Sequence, residues 1–183
     1  MWPPIWRRAL VLGGIRSGKS EFAEGLVSGA GAVGYVATAR TDPGDATWTA
    51  RIEDHRARRP PPWTTAEVGD DPSALLDLLA GADPDRTLLV DDIGAWVAAH
   101  LPDVTRVTAP LVDVAGRLAA AVRACPARLI LVSPEVGLSV VPTTAAGMMF
   151  ADALGATNRA IAAECDAVVL VVAGNAVPVK GAL

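Results

Sequence analysis

Short apolar runs recur along the chain, and the stretches between them carry helical spacing. Arg8 to Leu12, Ala32 to Ala37, Arg86 to Asp91, Ala127 to Ser133 and Ala167 to Ala173 are nearly continuous in apolar residues and of strand length. Trp63 to Val68 also reads as extended. Helical patterns run from Lys19 to Val27, Asp45 to about Ala57, Pro72 to Ala80, Val107 to Cys125 and Thr144 to Cys165. Pro60-Pro61-Pro62 stops the second of these, because consecutive prolines cannot continue a helix. Asp71 or Ser73 stands where a cap belongs for the third. Strands without a polar alternation are strands buried on both faces, so the pattern predicts an α/β fold: a mainly parallel sheet flanked by helices. Ligands in such folds bind beyond the carboxyl ends of the strands. Gly13 onward, Ala37 onward, Asp91 and Ser133 onward all fall there.

Length and composition narrow the class. A chain of 183 residues, about half of them apolar, is expected to form one domain, residues 1–183, with a full core. The net charge of −4 gives no electrostatic footprint for nucleic acid or an anionic membrane surface. No apolar run approaches the roughly 18–20 residues that span a bilayer. Trp2 to Arg8 followed by Ala9-Leu10-Val11-Leu12 imitates a signal peptide, but the apolar stretch is short and leads into a glycine loop. Cys125 and Cys165, the only cysteines, lack metal-ligand spacing and lie in apolar helical contexts. They read as free buried thiols of a cytoplasmic protein.

The first strand ends in Gly13-Gly14-Ile15-Arg16-Ser17-Gly18-Lys19-Ser20, the Gly-x4-Gly-Lys-Ser spacing of a phosphate-binding P-loop between strand and helix. Glycines let backbone N–H groups turn toward phosphate oxygens, and the helix N-terminus adds positive potential. Lys19 supplies a mobile charge for the outer phosphates, and Ser20 is a candidate Mg²⁺ ligand. Such a loop needs a carboxylate at the end of a neighbouring strand, and Leu88-Leu89-Val90-Asp91-Asp92 offers one. Asp91 could position Mg²⁺, contact the nucleotide, or serve as a cap or turn acid; Asp92 reads as the structural member of the pair.

Arg51, His55, Arg58 and Arg59 fall on one face of a helix. A solvated basic face is one reading. The other is chemical: neighbouring cations disfavour the imidazolium, and a neutral imidazole is a nucleophile. The arginines would then stabilise an attacked phosphate and a leaving pyrophosphate. His100 lacks such surroundings and reads as structural.

Taken in order, the motifs resemble one family, the bifunctional adenosylcobinamide kinase / adenosylcobinamide-phosphate guanylyltransferases of cobalamin biosynthesis. The resemblance runs from about Leu10 to Lys180. It rests on the loop Gly13 to Ser20, on Tyr35-Val36-Ala37-Thr38-Ala39, and on Arg51-Ile52-x-x-His55-Arg56-x-Arg58-Arg59-Pro60. Trp63-x-x-x-Glu67, Leu89-Val90-Asp91 and Glu135-Val136-Gly137-x-x-x-Val141-Pro142 follow. Phe150-x-Asp152-x-x-Gly155-x-x-Asn158 and Val171-Val172-Ala173-Gly174 complete the series. The resemblance implies a RecA-like P-loop NTPase fold and two activities: phosphorylation of adenosylcobinamide by ATP or GTP, and transfer of GMP from GTP through a histidine to adenosylcobinamide phosphate. His55 matches the guanylylated histidine. Gly13 to Ser20, Ala37, Thr38, Ala39, Arg56, Ala57, Arg58, Arg59, Glu67 and Asp91 match nucleotide-contacting positions, with Mg²⁺ at Ser20 and Asp91. The family resemblance also implies a homo-oligomer, such as a trimer.

The sequence departs from the family pattern at Thr47, where an acid is usual, at Ala151 in place of an arginine, and at Met148, which adds no charge there. It departs again at Arg159, where glutamine is frequent, and at Asp91, a shorter acid than the glutamate of some members. These positions fall in segments that the resemblance assigns to substrate or kinase function, so a guanylyltransferase with impaired kinase activity is one alternative. A P-loop kinase or NTPase for another small molecule is a second, and a nucleotide-binding module without turnover a third.

Overall fold

A computed structural model of the chain describes residues 6–39, 62–68, 71, 73–101 and 113–183. In chain order the described elements are β1 (Arg8–Gly13), α1 (Lys19–Leu26), β2 (Val33–Ala37), β3 (Thr64–Glu67), α2 (Ser73–Ala80), β4 (Thr87–Asp91), α3 (Ile93–His100), α4 (Val114–Ala124), β5 (Arg128–Pro134), α5 (Ala145–Glu164), β6 (Ala167–Val172) and β7 (Asn175–Lys180). The strands form one seven-stranded sheet in the order β3-β2-β4-β5-β1-β6-β7. Every pairing is parallel except the β6–β7 hairpin.

Alternation along the strands divides the core in two. Leu10, Val36, Leu88, Val90, Leu129, Leu131 and Val168 face one way, against Leu75 and Leu79 of α2, Trp96 and Val97 of α3, Leu118 and Val122 of α4, and Leu154 and Ile161 of α5. Ala9, Val11, Tyr35, Leu89, Ile130, Val132 and Val169 face the other way, where Ala23 and Phe22 of α1 pack. Both faces are therefore covered, which is why the strand sequences carry no polar alternation.

Three local features differ from the sequence-based reading. The helix expected from Val107 begins at Val114: Asp113 has a non-helical ψ of 75°, and its side chain caps the helix by accepting from Gly116 N–H at 2.8 Å. Residues 102–112 lie outside the described residues. The hydrophobic pattern does not mark helix α3, because Ile93, Gly94, Trp96 and Val97 are all buried and leave no polar stripe. Strand β7 is likewise unmarked by the pattern. It follows a tight two-residue turn in which Ala173 and Gly174 have φ of 49° and 79°, the signature of a primed hairpin turn.

The α2 cap and the thiols agree with expectation: Asp71 accepts from Ser73 N–H at 2.9 Å. At the start of α5, Thr144 is the cap and accepts from Gly147 N–H at 3.1 Å. Cys125 and Cys165 are free and buried. Among the described residues no helix is long and apolar enough to cross a membrane.

Candidate nucleotide site

The loop after β1 opens on a strand in the interior of the sheet, flanked by β5 and β6. Gly13 pairs with Pro134 on one side and Val171 on the other. A Cβ there would meet Ser17 Oγ and, at 2.9 Å, the Val171 carbonyl, so this position requires glycine for close approach. Gly14, Ile15 and Arg16 are exposed, whereas Ser17 is buried. The backbone turns at Arg16, with φ of 56°, and again at Gly18, with φ of 90°, a left-handed conformation that favours glycine. Ser17 N–H closes the turn on Gly14 O at 3.3 Å, and Phe22 N–H bonds Gly18 O at 2.9 Å as α1 starts.

Two neighbours fix the loop. Gly174 N–H, in the β6–β7 turn, donates to Ser17 O at 2.8 Å. Glu135 N–H, just beyond β5, donates to Gly13 O at 3.0 Å. That end of β5 is in turn held by α5: Ser133 Oγ donates to Asn158 Oδ1 at 2.6 Å, and Asn158 Nδ2 donates to Pro134 O at 2.9 Å. Ser133 and Asn158 are both buried and satisfy one another. Lys19 begins α1 and folds its Nζ back toward Gly14 O at 3.4 Å, over the concave side of its own loop.

At the carboxyl ends of β3, β2 and β4 the register sets Glu67 opposite Ala37 and Ala37 opposite Asp91. Three residues picked out by sequence thus stand side by side. Strand β5 intervenes between β1 and β4, so the loop and Asp91 end two strands apart, roughly 10 Å at the usual sheet spacing. Tyr35 Oη donates to Asp91 Oδ2 at 2.9 Å. Thr38 N–H donates to Asp91 O at 3.2 Å, and Thr38 Oγ1 donates to the Asp92 carbonyl. Asp92 caps α3, accepting from Ala95 N–H at 2.6 Å. Burial, with the adjacent Asp91 charge adding to it, raises the Asp92 pKa against the lowering effect of that N–H. The structural role expected of Asp92 is what the geometry gives.

Other candidate nucleophiles are poorly placed. Burial raises the Cys125 thiol above its ordinary value and pushes Cys165 up to about 12. His100 packs its ring on Trp96 with centroids 3.9 Å apart, and its Nδ1 lies 2.9 Å from Trp96 O, a structural placement. His55, Arg51, Arg56, Ala57, Arg58, Arg59 and the departure at Thr47 lie outside the described residues. Of the other departures, Ala151 is half-buried on α5, while Met148 and Arg159 are exposed on it.

Tyr35, Gly174, Ser133 and Asn158 join the site without having been assigned a role from sequence. Tyr35, Gly174 and Asn158 lie within the motifs that carry the resemblance, and that was their one signal.

Residues 9–179 match the family model described as cobinamide kinase / cobinamide phosphate guanyltransferase. The bifunctional adenosylcobalamin biosynthesis protein CobP of Pseudomonas aeruginosa is 41% identical over 181 residues, covering 95% of this chain and 98% of that protein. The bifunctional adenosylcobalamin biosynthesis protein CobU of Salmonella typhimurium is 38% identical over 184 residues, covering 93% and 98%. Among solved structures, a prototypical ATPase from the type III secretion system of pathogenic bacteria superposes with a TM-score of 0.53 at 12% identity. That alignment covers 89% of this chain and 50% of the ATPase, and the likeness is one of fold, that of the P-loop NTPases.

Proposed function

Because the chain belongs to the cobinamide kinase / cobinamide phosphate guanyltransferase family, we propose that it catalyses both reactions, on adenosylcobinamide and on its phosphate. The observation that carries this reading is a phosphate loop and a strand-end carboxylate, framed within a family match that spans residues 9–179.

In the kinase reaction the substrate hydroxyl attacks the γ-phosphorus of ATP or GTP. The bond to the β-phosphate oxygen breaks, the nucleoside diphosphate leaves and the hydroxyl proton is released. Backbone N–H groups of Gly13 to Ser20 and the N-terminus of α1 receive the phosphates, and Lys19 follows the charge on the outer ones.

In the transfer reaction a ring nitrogen of neutral His55 attacks the α-phosphorus of GTP. A phosphorus–nitrogen bond forms, the bond to the β-phosphate oxygen breaks and pyrophosphate leaves. The terminal phosphate oxygen of adenosylcobinamide phosphate then attacks the same phosphorus and displaces the imidazole, giving adenosyl-GDP-cobinamide. Arg56, Arg58 and Arg59 offset charge at the attacked and leaving phosphates. Ala37, Thr38, Ala39, Ala57 and Glu67 contact the nucleotide along the ends of β2 and β3 and in the connection between them.

Ser20 and Asp91 are the groups that would hold Mg²⁺, which when bound supplies positive charge to the phosphate oxygens. Two protein oxygens suit this cation, which usually takes one or two and fills its octahedron with phosphates and water. Carried over with the family are a cytoplasmic location and a homo-oligomer, a trimer, to be checked by light scattering on the eluting protein.

The test of the proposed activities is product analysis. Adenosylcobinamide with ATP, GTP and Mg²⁺ should yield the phosphate and then adenosyl-GDP-cobinamide, with pyrophosphate released one for one in the second step. Hydrolysis of GTP without any corrinoid product would favour an NTPase for another substrate.

A further inference from the structure

Asp91 is held from the neighbouring strand as well as by its own. In the β2–β4 register Tyr35 lies opposite Leu89, and Asp91 is two residues further along β4. Alternation puts Tyr35, Leu89 and Asp91 on one face of the sheet, the face covered by α1. A residue and the partner two positions on form a diagonal pair, within reach of an aromatic side chain. Tyr35 spans that diagonal: its ring is in the core, only 3% exposed, and its hydroxyl donates to Asp91 Oδ2 at 2.9 Å. A phenylalanine would fill the same core volume, so the hydroxyl is the part that packing does not require. Just beyond β2, Thr38 N–H and Thr38 Oγ1 hold the carbonyls of Asp91 and Asp92. The main chain at the end of β4 is thereby gripped by Thr38, and the side-chain torsion of Asp91 by Tyr35.

We infer that Tyr35 is a positioning residue: by donating to Oδ2, its hydroxyl fixes the orientation in which the Asp91 carboxylate meets the Mg²⁺-bound polyphosphate of the nucleotide. The inference rests on Asp91 holding Mg²⁺, as proposed above. An ionised carboxylate only accepts hydrogen bonds, so the phenol must donate, and an acceptor already aligned loses less rotational freedom when a cation arrives. Tyr35 touches neither the nucleotide nor the cation in this role.

The test is calorimetric binding of guanosine 5′-(α,β-methylene)triphosphate, whose α–β bridge resists cleavage, across a Mg²⁺ titration and in EDTA. Tyr35→Phe should weaken binding about fivefold at saturating Mg²⁺, the scale of one lost hydrogen bond, and leave binding in EDTA within about twofold of the parent. Asp91→Asn should lose the Mg²⁺-dependent gain, and adding Tyr35→Phe to it should cost nothing further. A Tyr35→Phe protein that titrates like the parent, or that weakens equally in EDTA, overturns the positioning role while leaving Asp91 as the Mg²⁺ carboxylate. An Asp91→Asn protein with unchanged Mg²⁺ dependence overturns the reading of Asp91, and this inference with it.

Discussion

Lys19 is the residue on which both proposed reactions depend, because each moves negative charge at the outer phosphates. Its Nζ already hangs over the loop, 3.4 Å from Gly14 O, and needs no large rearrangement to meet a phosphate. Lys19→Ala should cost about a hundredfold or more in turnover, the scale of removing one preorganised electrostatic donor. Normal turnover by that variant would place the chemistry elsewhere. Lys19, Ser20 and Asp91 stand out in the sequence as candidates because the first two sit in one contiguous motif and Asp91 ends an apolar run. The hydrogen bonds that hold this end of the sheet do not. Tyr35 and Asp91 are 56 positions apart, and Ser133 and Asn158 are 25 apart. A hydrogen bond between distant positions leaves no periodicity to read.

At the scale of elements, Asp92 carries a testable conflict between capping α3 and burying a charge. Burial raises its folded pKa above the ordinary 3.8 of an aspartate, so the folded chain binds a proton more tightly here than the unfolded chain does. Its contribution to stability is greatest in acid and declines as pH rises from about 3.8 through the folded pKa. Asp92→Asn keeps the acceptor and removes the charge. In urea unfolding it should gain on the parent as pH rises from about 4 to about 7. Asp92→Ala loses the cap and should be less stable than Asp92→Asn by about 1 kcal/mol at neutral pH. A parent and an Asp92→Asn protein with parallel pH profiles would contradict the burial argument. Elements with a strong pattern were legible within a residue or two: β1, β2, β4, β5, β6, α1, α2 and α5. Those that failed have physical reasons. Helix α3 is buried on several sides and shows no polar face. The Val107-to-Cys125 pattern includes Asp113, whose side chain caps a helix that begins at Val114. Strand β7 is exposed along its whole length and lacks an apolar alternation signal.

On the scale of the whole molecule, the sheet gathers the loop, the Ala37–Asp91–Glu67 row and the β6–β7 turn at one edge, although they span most of the chain. The two proposed reactions share the phosphate loop, and the transfer additionally needs His55. If Thr47 and Ala151 weaken the kinase half, transfer of GMP to supplied adenosylcobinamide phosphate should run faster than phosphorylation of adenosylcobinamide. Comparable rates would show those positions to be dispensable. His55→Ala should abolish transfer while leaving phosphorylation, because an incoming hydroxyl needs no protein nucleophile. The most direct measurement is the covalent adduct itself, followed with GTP labelled at the α- or the γ-phosphate in the presence of Mg²⁺. A phosphorus–nitrogen bond to an imidazole is labile in acid and stable in base. The α-label should therefore stay with the protein through denaturation at high pH, be lost in acid, and be absent from His55→Ala; the γ-label should leave nothing on His55. Protein that retains no α-label at high pH while still forming adenosyl-GDP-cobinamide, or His55→Ala that transfers GMP at the parent rate, would contradict the covalent mechanism.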